Sequence, residues 1–496
     1  MSKGLATASA RAIRQLRLDL LGRLGRPRSD PTVPPAPGIC NMTTMSDPTD
    51  EVSTPPFAPG MLGPLPRIQD QELWDPAKQR MDREQRRDLQ NERVKALVTK
   101  IFDTPVPLFK DKLISAGLES PQDIKGVDDL WRVPLTVKQD LRDSEAAKPP
   151  WGEYRFTNPK DAIRLGTSTG TTGEPTITVW TRKDLWIEYE SGARNWWRMG
   201  QRPGMVVTHA HPAYLYGGGL SLQGAYEYFG MLSIWVPPPD TDELAEQAVR
   251  FWTRVRPDIP FMGFATGRFL EVANKLGIAL EDAGLTGLKA PPGFGLGRGG
   301  MPLMTAGAEC YAYVGGPCGK SPGAHIHEDW AIVQAVDPTT GKEVPEGEWG
   351  NLTVTTLDRD NGLLRYDLEE ACAILREPCP CGETSIRGLW GGRFKDLLNA
   401  QGTRFQLNEL QNVLMGIDAF KNPSLEYQVV RPDGGDAPLI VRVEVDSNDT
   451  AVRDSARDRG VEAIRESLGV TASIEILDRD TIPRAGYKAT RVIEPE

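Results

Sequence analysis

Leu165-Gly-Thr-Ser-Thr-Gly-Thr-Thr-Gly-Glu-Pro-Thr-Ile-Thr-Val-Trp180 is the most informative stretch of the chain. Glycine, serine and threonine fill its middle, and segments of strand character flank it, the first at Ile163 to Gly166. Small residues of this kind let backbone N–H groups and hydroxyls converge on phosphate oxygens. A plain polar turn has a similar composition, so the surroundings must decide between the two. The loop is not a Walker loop: no Gly-Lys-Ser/Thr follows its glycines, and Glu174-Pro175 stands directly after Gly173.

Upstream, helical patterning runs from about Glu84 to Ile101, and Thr136 followed by Gln139 reads as a capping box opening a further helix. Downstream, strands near Met205–Ala210, Met231–Val236 and Pro260–Phe264 alternate with helical segments, the order of a βαβ-type layered core. The helix from Thr181 to about Met199 puts Leu185, Trp186, Tyr189, Ala193, Trp196 and Trp197 on one stripe, a core-packing face, and ends at Gly200. The last hundred or so residues change character. A helix near Asn408–Met415 precedes strands Tyr427–Val430 and Leu439–Val445 around the turn Pro432-Asp-Gly-Gly435. A helix from about Thr450 to Leu468 then stops at Gly469, before a strand at Ala472–Leu477. The expected organisation is a tail over 1–66, a large α/β domain over 67–393 and a small α+β domain over 394–496.

Composition bounds the function. A chain of 496 residues with 39% hydrophobic content is long enough for two or more domains. Its net charge of −10 gives no basic footprint for nucleic acid. No apolar run is long enough to span a bilayer, and mean hydropathy is −0.39. Six cysteines in this length do not make a disulfide scaffold, which fits a reducing, cytoplasmic setting. Residues 1–29 carry Lys3 and six arginines against Asp19 alone, and residues 30–66 are dense in Pro, Ser, Thr and Gly. That pattern imitates a transit peptide, and it equally suits a disordered arm or an overlong start with Met45 as the initiator.

Ser168-Thr-Gly-Thr-Thr-Gly-Glu-Pro175 resembles the signature loop of adenylate-forming acyl-CoA synthetases, specifically their phenylacetate–CoA ligase-like branch. The resemblance extends to Pro134-Leu-Thr-Val-Lys-Gln-Asp-Leu-Arg-Asp143, Tyr216-Gly-Gly-Gly219, His325-Ile-His-Glu-Asp329, Asp337-Pro-Thr-Thr-Gly341, Leu364-Arg-Tyr366, Gly392-Arg-Phe-Lys-Asp396 and Ile482-Pro-Arg484. It covers about residue 70 to the end. It implies a large N-terminal domain with a small mobile C-terminal domain, a homodimer, and ATP, Mg2+ and coenzyme A as cofactors. The implied reaction activates a carboxylic acid, aromatic or aryl-acetic, to an acyl-adenylate and transfers it to coenzyme A. A carrier-protein thiol as acceptor, or a silent nucleotide- or acyl-binding relative, are the alternatives.

Residue by residue, the resemblance makes Ser168, Thr169, Gly170, Thr171, Thr172 and Gly173 the phosphate loop and Lys488 the lysine that contacts the carboxylate and the transferring phosphate. Glu309 is the candidate that assists Mg2+. Glu370 stands where an aspartate usually holds the ribose, Arg393 contacts nucleotide, Asp396 is the hinge, and Tyr216, Gly217 and Gly218 lie on the acyl side. Two departures stand out: Thr305-Ala-Gly-Ala-Glu309 replaces a Tyr-Gly-x-Ser/Thr-Glu segment, and Glu174 replaces a common lysine. Cys318, His325, Cys379 and Cys381 form a possible tetrahedral zinc set, with His327 as substitute ligand. Some members of the resembled branch carry such a structural zinc, although reduced buried cysteines are an ordinary finding. The only other histidines, His209 and His211, end a predicted strand near the expected substrate region.

Overall fold

A computed structural model describes residues 72–168, 174–210, 217–261, 266–284, 309–310, 313–394, 397–483 and 491–495. The tail expected over 1–66 lies outside these residues. The helical lead-in consists of α1 (Arg83–Asp103), α2 (Pro107–Ser115) and α3 (Lys138–Ala147). Asp82 caps α1 by accepting the Glu84 N–H at 2.8 Å. Arg86, Gln90, Val94, Leu97, Val98 and Ile101 form its buried stripe.

The capping box at Thr136 and Gln139 is not what opens α3. Asp140 Oδ2 accepts the Val137 N–H at 2.7 Å, and Thr136 Oγ1 donates to the Leu364 carbonyl at 2.8 Å. The Thr136 backbone also bonds to Arg365 O at 2.9 Å and accepts from Asp367 N at 2.8 Å. A residue committed to a distant strand is not available to cap a helix.

Strands β1 (Arg164–Thr167) and β2 (Ile177–Trp180) pair antiparallel, with Thr167 opposite Ile177, so the glycine-rich loop rises from a two-stranded stem. Helix α4 (Arg182–Arg198) follows at once, capped reciprocally by Thr181 and Asp184. On its aromatic stripe Leu185, Ala193, Trp196 and Trp197 are buried and Trp186 and Tyr189 half-buried. Strands β3 (Val206–His209), β4 (Leu232–Trp235) and β5 (Ile259–Phe261) form a parallel sheet in the order β4-β3-β5. Helices α5 (Gly217–Phe229) and α6 (Asp242–Val255) make the crossovers, which is the expected βαβ alternation, and α7 (Thr266–Lys275) follows.

A larger antiparallel sheet accompanies it, unannounced by sequence pattern. Its strands are β6 (Gly315–Pro317), β7 (Ala324–Ile326), β8 (Ala331–Val336), β9 (Gly350–Thr356), β10 (Tyr366–Leu375) and β11 (Arg387–Arg393), in the order β6-β7-β11-β10-β9-β8. Side chains from α1, α2 and α3 pack with β8, β9 and β10 into one apolar cluster.

Beyond it come the hairpin β12 (Leu398–Ala400) and β13 (Thr403–Phe405), α8 (Leu407–Met415), β14 (Tyr427–Val430), β15 (Leu439–Glu444), α9 (Thr450–Leu468), β16 (Ala472–Leu477) and β17 (Val492–Ile493). Four of these strands form a sheet ordered β16-β15-β14-β17. Helix α9 ends where Gly469 turns left-handed at φ 72°. Residues from Leu398 to Ile474 share an apolar cluster of their own.

Helix α4 ties the stem to the antiparallel sheet. Arg194 donates to both carboxylate oxygens of Asp329, at 2.9 and 3.0 Å, and its guanidinium lies 4.1 Å from the Trp330 ring centre. Burial, the largest single influence, would raise the Asp329 carboxyl, but the charge and hydrogen bonds of Arg194 together with the Lys78 charge and a backbone N–H hold the group below its ordinary value. Removing one partner of a buried pair strands the other charge, at a cost of about 3–5 kcal/mol. Arg194→Met is expected to lower the unfolding free energy by about that amount in a urea titration. Arg194→Met/Asp329→Leu should lose less than Arg194→Met alone, since the buried Asp329 carboxylate is no longer left without its partner.

Candidate active site

The stem of the glycine-rich loop is closed by side chains from distant parts of the chain. Ser168 N–H donates to the Thr176 carbonyl at 3.0 Å, and the Thr176 N–H returns a bond to Ser168 Oγ at 3.1 Å. Thr176, fully buried, donates its hydroxyl to Glu309 Oε1 at 2.7 Å. The same oxygen lies 2.8 Å from Lys138 Nζ. A residue 133 positions further along the chain is thus brought to the base of the loop. A cleft lined by Tyr154, Ile177, Thr178, Glu309 and Leu363 opens beside it.

Other candidates flank this centre. Gly217 and Gly218 begin α5 and are buried. A Cβ on Gly217 would sit 2.3 Å from the Trp180 ring, and one on Gly166 2.8 Å from Gly217 Cα, so both glycines permit α5 to start against the stem. Glu370 and Arg393 are cross-strand partners on β10 and β11. Glu370 Oε2 accepts the Trp390 indole N–H. Thr169 to Gly173, Tyr216, Asp396 and Lys488 lie outside the described residues, as do His211 and most of the altered segment before Glu309.

Cys318, His325, Cys379 and Cys381 converge: their donor atoms all lie within 4.8 Å of one another. Cys318 Sγ is 3.5 Å from Cys379 Sγ, and Cys381 Sγ is 3.2 Å from His325 Nε2. Ligands of a tetrahedral zinc, bonded at about 2.3 Å to sulfur and about 2.0 Å to nitrogen, stand roughly 3.5 Å apart, so the donor set fits that ion. Ser385 Oγ engages His325 Nδ1 at 3.0 Å, which turns Nε2 toward the sulfurs. Backbone N–H groups of Lys320 and Glu383 point at Cys318 and Cys381, at 3.4 and 3.5 Å. The bond with Cys381 pulls the Cys318 thiol below its ordinary value in spite of burial. His327 is not the ligand on this geometry, because its Nε2 bonds Asn195 Oδ1 at 3.1 Å.

Sequence reasoning missed Lys138, Thr176 and Trp390. Lys138 and Thr176 both lie inside stretches that it had singled out as motifs, but nothing local says that they meet Glu309.

The described sheets, ending in a C-terminal sheet with an apolar core of its own, have the architecture of the adenylate-forming enzymes. The AMP-binding enzyme C-terminal domain family matches residues 408–495. A phenylacetate–coenzyme A ligase of Thermus thermophilus is 31% identical over 456 residues, spanning 85% of this chain and 99% of the relative. One from Aromatoleum evansii is 27% identical over 471 residues, spanning 89% and 98%. In fold, the chain is similar to 2-hydroxyisobutyryl-CoA ligase in the postadenylation state in complex with 2-HIB-AMP. That likeness has a TM-score of 0.73 at 23% identity and covers 86% of this chain and 93% of that one. The chain belongs to the phenylacetate–coenzyme A ligase family.

His209, at the end of β3, is fully buried and holds Gln223 Oε1 of α5 at 2.7 Å. Burial lowers its pKa to about 4. An unfolded histidine titrates near ~6.5. Between these values only the unfolded chain takes up the proton, so this contribution to stability is complete above the unfolded pKa and falls as pH drops toward the folded one. His209→Asn should therefore flatten the acid side of the stability curve by up to about 1.4 kcal/mol per pH unit. Urea midpoints of both proteins at about pH 7 and about pH 5 test this; parallel slopes would refute it.

Proposed function

We propose that the chain activates a carboxylic acid with ATP, forming an acyl-adenylate and pyrophosphate, and passes the acyl group to coenzyme A with release of AMP. The acid proposed is aromatic or aryl-acetic. The observation that carries the reading is Glu309, buried and bonded to Thr176 at the base of the loop. Family membership over almost the full length of the Thermus relative supports it.

In this reading Ser168 to Gly173 present N–H and hydroxyl donors to the phosphates. Glu309 fits a Mg2+ ligand, since such an ion takes one or two carboxylates together with phosphate oxygens, and both of the carboxylate's bonds described above fall on Oε1. Bound there, the ion neutralises phosphate charge. Glu370 would hold the ribose hydroxyls and Arg393 the nucleotide. Tyr216, Gly217 and Gly218 would border the acyl group. Lys488 brings positive charge to the attacking carboxylate and the α-phosphate, where two anions meet. We assign 67–393 to the large domain and 394–496 to a small one that turns about Asp396, keeping water from the mixed anhydride between half-reactions.

Exchange of labelled pyrophosphate into ATP, dependent on an added acid, tests adenylation without assuming a thiol acceptor. Exchange with one class of acids, reduced about a hundredfold or more by Lys488→Ala, is the expected result. A folded chain that binds ATP and exchanges with no acid would instead be a silent relative.

The cysteine–histidine set would hold a structural zinc, since four protein ligands leave no open position for chemistry. One zinc per chain is expected by elemental analysis. Cys381→Ser should lose it and lower the melting temperature, while exchange activity per folded molecule stays near wild type. A metal-free chain as stable as the metal-bound one would sink this assignment.

A further inference from the structure

One face of α3 grips the stem of the phosphate loop. Lys138, Arg142 and Glu145 follow each other at helical spacing and so share that face. Lys138 Nζ meets Glu309 Oε1 at 2.8 Å. Arg142 Nε donates to the Glu174 carbonyl at 2.9 Å. Glu145 Oε1 accepts the Ile177 N–H at 3.1 Å. The same carboxylate oxygen is held by Arg155 at 3.0 Å and by the Tyr154 hydroxyl. Stem residues 174 and 177 are thus bonded directly to the helix, and 176 through Glu309. The start of the helix is in turn fixed by the Thr136 bonds to residues 364–367.

The charges make this grip more than mechanical. Residues 165–180 contain neither Lys nor Arg, and Glu174 adds an acid. The stem also holds the Glu309 carboxylate, whose side chain is only 6% exposed. A triphosphate approaching the loop without a divalent cation would face that carboxylate unshielded if nothing offset it. Lys138 offsets it, and with a side chain 25% exposed it keeps one side toward solvent.

We propose that Lys138 is a positioning residue for ATP. It neutralises Glu309 so that the triphosphate meets an ion pair rather than a bare carboxylate, and it holds Glu309 Oε1 against the Thr176 hydroxyl so that the stem keeps its shape. The inference rests on the reading of the loop as the triphosphate site.

The test measures equilibrium binding of ATP to the full chain without acid and without divalent cation, together with acid-dependent pyrophosphate exchange in Mg2+ and thermal unfolding. It uses Lys138→Ala, Lys138→Arg and Lys138→Ala/Glu309→Gln. Loss of a charge-assisted contact should weaken ATP binding about tenfold to a hundredfold in Lys138→Ala, and Lys138→Arg should restore most of it. The double variant should bind ATP more tightly than Lys138→Ala, because the uncompensated carboxylate is gone, while its exchange stays low because Glu309 is lost. It also keeps the test open if Lys138→Ala alone does not fold, since it should then fold and bind ATP. Wild-type affinity in Lys138→Ala, or a double variant no better than the single one, overturns the proposal. A wild-type chain that binds ATP but exchanges nothing would sink the ligase reading alone; one that binds no ATP would overturn both.

Discussion

Helix α4 is buried almost all round, yet it carries charged residues along its length, and each must find a partner because an unpaired charge in the interior is too costly to keep. Those partners fix the rest of the molecule. Asp184 and Glu188 meet Arg359, at 3.3 and 3.5 Å. Glu190 accepts the Trp74 indole at 2.8 Å and the Tyr228 hydroxyl at 3.0 Å. Arg194 takes Asp329, and Arg198 takes Glu383 through two bonds of 2.7 Å. Between the two arginines Asn195 donates to the Gly315 carbonyl at 3.0 Å. These bonds reach segments around residues 74, 228, 315, 329, 359 and 383, so the helix has one orientation in which the named charges are satisfied together. Bidentate arginine pairs tolerate little rotation, which gives that orientation its directionality.

The loop stem is held in the same manner. Thr181, the residue after β2, both caps α4 and donates to Asp360 at 2.7 Å. On the other side α3 binds residues 174 and 177, and Glu309 bonds Thr176. A loop made of glycine and small hydroxyl residues has little side-chain packing to order itself, and its conformational freedom must be restrained from outside. Bonding both strands of the stem fixes where that stretch begins and ends.

Much of this was legible where the signal was local. The C-terminal region came out nearly residue for residue: Thr450–Leu468 with its stop at Gly469, the strand Ala472–Leu477, and the pair of strands around Pro432 to Gly435. Caps, a left-handed glycine and alternating burial all lie within a few residues of what they specify. The antiparallel sheet was not legible, because β8 and β9 are buried at every position and show no alternation, while β6 and β7 are three residues long. Thr136 failed as a cap for a related reason: its partners lie more than two hundred residues away. The cysteines and histidine of the cluster were legible as a donor set. Which histidine faces the sulfurs depended on Ser385 and Asn195, contacts without any local signature.

The cysteine–histidine cluster and the stem of the glycine-rich loop lie far apart in sequence, yet α4 makes them mechanically continuous. Seventeen residues of helix span about 25 Å. The N-terminal end begins one residue beyond the stem, and the C-terminal end is clamped by Glu383, two residues past Cys381. Cys379 and Cys381 sit in the connection between β10 and β11, and those same strands carry Glu370 and Arg393. Loosening the cluster would free the Arg198–Glu383 clamp at one end of the helix and the β10–β11 connection at the other end of the strands. The cluster therefore bears on the stability of the scaffold that carries the candidate residues, because two rigid elements start at it, one running to the stem and the other carrying Glu370 and Arg393.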